Sequence, residues 1–137
     1  MGRYNMIEKN IKYEYLKLCK QLNDSFNSID YRKHNRVMKK LEALFKDHIS
    51  KEPDKYKDML LDILEHANTR ACLVAATQLL KMDIYREKAI AKLIEIIETD
   101  ENGYFVFDAE NIIEYVAKLD LNKAKKLYRN MMKKPEE

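Results

Sequence analysis

The sequence predicts an all-α protein, and three observations carry that prediction. Only 2 glycines and 2 prolines interrupt 137 residues, which leaves few places for the tight turns of a sheet protein. Charged residues make up 36% of the chain, with abundant Lys, Glu, Leu and Ala, residues that lose little side-chain freedom in a helix. Apolar residues recur at three and four residue intervals, which places them on one face of a helix. At this length the chain is expected to form a single domain, residues 1–137, with its own core.

The first helix is expected over Tyr4 to Gln21, where Ile7, Ile11, Tyr15, Leu18 and Leu22 form a stripe. Asn23 to Ser28, NDSFNS, reads as the first punctuation. A second helix over Asp30 to Ser50 carries Val37, Met38, Leu41, Leu44, Phe45, His48 and Ile49 on one side and a strongly basic opposite side. Pro53 fits a first helical position, where its missing N–H costs nothing. Helices then follow over Pro53 to His66, Thr69 to Lys81 and Tyr85 to Thr99. The links are a few residues long, so neighbours must fold back antiparallel. Asp100 to Phe105, DENGYF, is a turn with one of the two glycines. Helices over Phe107 to Lys118 and Leu121 to Lys133 complete about seven, the last capped by Asp120.

Within Leu60 to Asp83, LLDILEHANTRACLVAATQLLKMD, two apolar helices meet across a short turn. Asn68 is a good N-cap, Arg70 enters the first turn, and Ala71, Ala75 and Ala76 leave room for a close helix neighbour before Leu79, Leu80 and Met82. This segment, about one fifth of the chain, resembles the helical hairpins of HEAT-like repeat proteins. The resemblance implies a right-handed stack of antiparallel hairpins, a HEAT-like α-solenoid, over residues 52–137 behind basic N-terminal helices over 1–51. An internal repeat agrees with it: LLDILEH at 60–66 resembles LIEIIET at 93–99, and LKMD at 80–83 resembles AKLD at 117–120.

The net charge of +3 hides a segregation. Residues 1–51 sum to +6, residues 52–120 to −7, and residues 121–137 to +4. Glu95, Glu98, Asp100, Glu101, Asp108, Glu110 and Glu114 occupy the span from Leu93 to Ala117 without one Lys or Arg. Like charges so placed on a helix repel. They are either a solvated face offset by Lys125, Lys126 and Arg129 or a surface that attracts a basic partner. Tyr104, Phe105 and Phe107 lie within the run, and aromatics among charges have the composition of an interface anchor. The candidate partner-binding residues are therefore Glu95, Glu98, Asp100, Glu101, Tyr104, Phe105, Asp108, Glu110 and Glu114. Phe105 or Phe107 has an alternative role as a staple at its helix start.

Arg32, Lys33, Arg36, Lys39 and Lys40 form a basic face that could follow a phosphate backbone. No aromatic interleaving or nucleic-acid motif accompanies it in the sequence, so nucleic acid is not the expected partner, and a nucleic-acid-binding helical repeat is the alternative reading. There is no Gly-rich phosphate loop, no nucleophile elbow and no Cys/His pair at suggestive spacing, so an enzyme is not expected. Cys19 and Cys72 read as buried small apolar residues rather than a disulfide, and His34, His48 and His66 lack ligand spacing, so neither metal nor cofactor is expected. No run of 18 apolar residues and no hydrophobic N-terminal block occur, which points to a cytoplasmic protein with no membrane contact. Small stand-alone proteins with HEAT-like repeats include bacterial immunity proteins. The resemblance thus implies neutralisation of a cognate toxin, a basic nuclease domain for instance, by steric and electrostatic occlusion. An adaptor in a larger assembly is the third reading.

Overall fold

The computed structural model describes residues 2–28, 30–66 and 68–133, with side chains placed throughout except at 2–9 and 26–28. Among the described residues the protein is all-helical, without a strand: α1 (Gly2–Ser28), α2 (Tyr31–Leu44), α3 (Pro53–Leu64), α4 (Thr69–Met82), α5 (Arg86–Thr99), α6 (Val106–Asn111) and α7 (Leu121–Met132). The helices α2 and α6 each continue into one π-helical turn, Phe45–Ile49 and Ile112–Val116. Two compact units divide the chain, Met1–Asp62 and Ile63–Glu137, with the boundary inside α3.

In the first unit α1 packs on α2. Ile11, Tyr15, Leu18, Cys19 and Leu22 are buried along one side of α1, as their spacing requires; the Ile7 side chain lies outside the described residues. The NDSFNS segment does not end α1. The Ser25 hydroxyl donates to the Leu22 carbonyl at 2.7 Å and the side chain is buried, so a residue of middling helix propensity is satisfied inside the helix. Asp30 begins α2 by accepting from Lys33 N at 3.0 Å. The π turn that follows α2 closes with Ser50 N donating to the Phe45 carbonyl at 2.7 Å. Its wider winding buries Ile49 and turns His48 outward, so His48 leaves the apolar stripe in which a regular helix would have kept it. Lys12 Nζ on α1 lies 3.8 Å from Asp62 Oδ2 on α3.

In the second unit α4 packs on α5 and on the π turn after α6, while α5 also packs on α6 and α7. Consecutive and alternate helices therefore both touch, which sorts the unit into two layers: α4 beside α6, and α5 beside α7. The alanines of α4 make this possible, Ala71, Ala75 and Ala76 being fully buried. Two arginines at helix starts join the members of each layer. Arg70 Nη1, in the first turn of α4, donates to Asp108 Oδ2 in the first turn of α6 at 3.0 Å. Arg86 Nη2, at the start of α5, donates to the Ala117 carbonyl just before α7 at 2.5 Å. The two segments of the internal repeat both turn through a left-handed non-glycine residue, Asp83 (φ 57°) after α4 and Lys118 (φ 55°) before α7. The buried Cys72 thiol donates to the His66 carbonyl at 3.0 Å, and burial pushes its pKa up. Cys19 is buried as well.

Candidate functional site

The site is built where α5 turns into α6. Asp100 closes α5, and its Oδ2 then accepts from Phe105 N at 2.6 Å, capping the start of α6 from outside the helix. Between them Gly103, at φ 69°, donates to the Asp100 carbonyl at 3.1 Å. A left-handed residue is needed at that point, and glycine adopts it without a Cβ penalty. The turn this closes leaves Tyr104 outside, 66% exposed. The neighbouring Phe105 is half-buried, because the Arg70 guanidinium lies over its ring at 4.9 Å from the centroid. Arg70 is itself buried, so one side chain binds α4, the loop and α6 together through Phe105 and Asp108.

Helix α6 and its π turn bury Ala109, Ile113 and Ala117 at intervals of four. The opposite side faces solvent. Phe107 and Tyr115 lie eight residues apart, slightly more than two α turns, and the wider π turn brings them into line. They are 70% and 74% exposed. Glu110 and Glu114 flank them. Three outward aromatic rings, Tyr104, Phe107 and Tyr115, thus follow one another along this turn and helix as an exposed ridge, with Glu110 and Glu114 on the same stretch and the Tyr104 ring 5.9 Å from that of Phe105.

The acidic run separates into two groups. Asp100 and Asp108 are half-buried and engaged in the fold, while Glu95 pairs with Lys92 at 3.5 Å, which also reaches Glu65 at 3.7 Å. Glu98, Glu101 and Glu114 are exposed and Glu110 half-buried, and none of the four forms an ion pair among the described residues. Nor is Lys125, Lys126 or Arg129 ion-paired with the run among the described residues. Beside the loop an open cleft of about 340 Å³ is lined by Thr69, Ile96, Thr99, Asp100, Glu101, Asn102 and Phe105. Its carboxylates and ring suit a cationic side chain.

Phe107 and Tyr115 stand outside the candidate partner-binding residues that the sequence pattern selects. Phe107 lies within the acidic run, where exposed and stapling roles look alike in sequence. Tyr115 joins it only through the π turn. Among the described residues no group of three His, Cys, Asp or Glu side chains is placed to hold a metal, and no helix is long and apolar enough to cross a membrane. No family model, curated protein or solved structure matches the chain.

Proposed function

We propose that the chain is a non-catalytic protein-binding module whose partner presents a basic surface. The observation that supports this reading is the ridge: three large aromatic side chains exposed within one turn-and-helix segment, with glutamates on the same segment that make no ion pair among the described residues. A soluble fold gains nothing by holding such rings in water, whereas a partner that covers them gains apolar contact at the centre and charge complementarity at the rim. Tyr104, Phe107 and Tyr115 act as anchors, and Glu98, Glu101, Glu110 and Glu114 steer encounter. Asp100, Arg70 and Asp108 hold the loop in place before binding, which lowers the ordering cost of association. The cleft beside the loop receives a Lys or Arg of the partner.

A narrower reading rests on the HEAT-like resemblance of residues 60–83. In it the partner is a toxin domain, the ridge occupies a cleft that would otherwise hold an anionic substrate, and the chain is an immunity protein acting without turnover. Affinity purification with the intact chain as bait, read by mass spectrometry, tests the proposal. One small basic protein recovered in equal amount, and lost when Phe107 and Tyr115 are both changed to Ala, is the expected result. Equal recovery by the two baits would remove the ridge from consideration.

A further inference from the structure

We infer that the outward side of α2 is a binding surface for single-stranded nucleic acid, a site separate from the ridge and independent of the function proposed above. The inward side of α2 is set by Val37 and Leu41, both buried. At 3.6 residues per turn, Lys39, Arg32, Arg36 and Lys40 fall on the opposite side within an arc of about 100°. All four are exposed, and Lys33 at the edge of the arc is half-buried. Arg32, Arg36 and Lys40 succeed one another at about 6 Å along the axis, a spacing suited to successive phosphates of one strand. Three other cations of the same unit are paired, Lys12 with Asp62, Lys55 with Glu52 and Lys57 with Asp54, while Lys17, Lys20, Lys46 and Lys51 make no ion pair among the described residues and are not gathered on one helix face as those of α2 are. The α2 cations make no ion pair among the described residues, and Glu42 is the sole acid in the helix.

Charge alone would suit any polyanion, and the aromatic residues make the choice. Tyr31 opens α2 beside Arg32 and is 74% exposed. Its ring, adjacent to Arg32 and open to solvent, supplies the basic face with one aromatic companion. A single strand offers its phosphates to the cations and its base faces to a tyrosine, whereas a duplex keeps its base faces stacked. Apart from Tyr31, Ala43 is the one apolar residue exposed on α2, less than the continuous apolar face with which an amphipathic helix enters an anionic membrane.

Fluorescence anisotropy with the whole chain and a labelled oligothymidylate of about 12 nucleotides tests this. Micromolar binding is expected at about 50 mM salt, weakening towards about 200 mM with a log–log slope of about −2 to −3, as for three or four neutralised phosphates. Changing Arg32, Arg36, Lys39 and Lys40 together to Gln should weaken binding about tenfold or more and flatten the slope. Tyr31→Ala should weaken it about fivefold or more and leave the slope unchanged. Phe107→Ala should bind as the wild type does, which keeps this site distinct from the ridge. Absence of binding at the lower salt, or an undiminished affinity in the fourfold variant, would overturn the assignment. So would equal binding of a duplex of the same length with Tyr31→Ala silent. Phosphatidylserine vesicles that displace the oligonucleotide and bind without regard to Tyr31 would reassign the surface to membranes.

Discussion

The corner where α4, α5 and α6 meet and the outward face of α2 are both rich in charge, yet they use it in opposite ways. At the corner Arg70 is buried against Asp108 and Phe105 and Asp100 caps α6, while at the other end of α5 Arg86 holds the carbonyl ahead of α7. On α2 five cations make no ion pair among the described residues. The acidic run contains both kinds within twenty residues, since Asp100 and Asp108 are engaged while Glu98, Glu101 and Glu114 face solvent. Charge density along a sequence thus says little about availability. What decides it is whether a partner from another helix reaches the group.

The difference should appear in stability measurements. Arg70→Met removes a buried cation that three elements share and leaves Asp108 without its partner; the urea midpoint should fall by the equivalent of about 3 kcal/mol. An unchanged midpoint would show that the corner does not depend on this ion pair. The ridge should behave the other way. Phe107→Ala should weaken partner binding by about 2 kcal/mol or more as a hot-spot truncation, while its thermal midpoint stays where it was, because the ring touches solvent. Glu110→Lys with Glu114→Lys should slow association, most at low salt, and change dissociation little.

Smaller effects sharpen the same contrast. Ala76→Leu places bulk where α4 is fully buried, and overpacking should cost about 1 to 3 kcal/mol in a urea titration. Backbone conformation, rather than contact, governs two turn positions. No atom lies within 4 Å of a Cβ built on Gly103, so Gly103→Ala should cost about 1 kcal/mol through its positive φ alone. Lys118 adopts the same left-handed region with a side chain, so Lys118→Gly should raise stability by up to about 1 kcal/mol. A stabilising Gly103→Ala would contradict that account of the turn.

Much of this architecture is legible in the sequence because it follows from local spacing. The helix starts at Pro53 and Thr69, the caps at Asn68 and Asp120, and the turn at Gly103 all come from residues whose preferences act within a few positions. The end of α1 does not. Ser25 is held by burial and by a carbonyl three residues back, which override its preference for a turn. Neither π turn leaves a compositional mark, so the exposure of His48 and the alignment of Tyr115 with Phe107 are invisible to a fixed period of 3.6. The engagement of Asp108 depends on Arg70, thirty-eight residues away, and no local pattern distinguishes it from Glu114.

A basic protein that docks on the Tyr104, Phe107 and Tyr115 ridge, as proposed, should lose its hold when the ridge is cut back. Isothermal titration of the recovered partner against the wild type and against Phe107→Ala with Tyr115→Ala tests it most directly, with both proteins first shown to unfold at the same temperature. The double variant should lose about a hundredfold or more in affinity, whereas the fourfold Gln variant of α2 should bind as the wild type does. Equal affinity of the ridge variant and the wild type would contradict it.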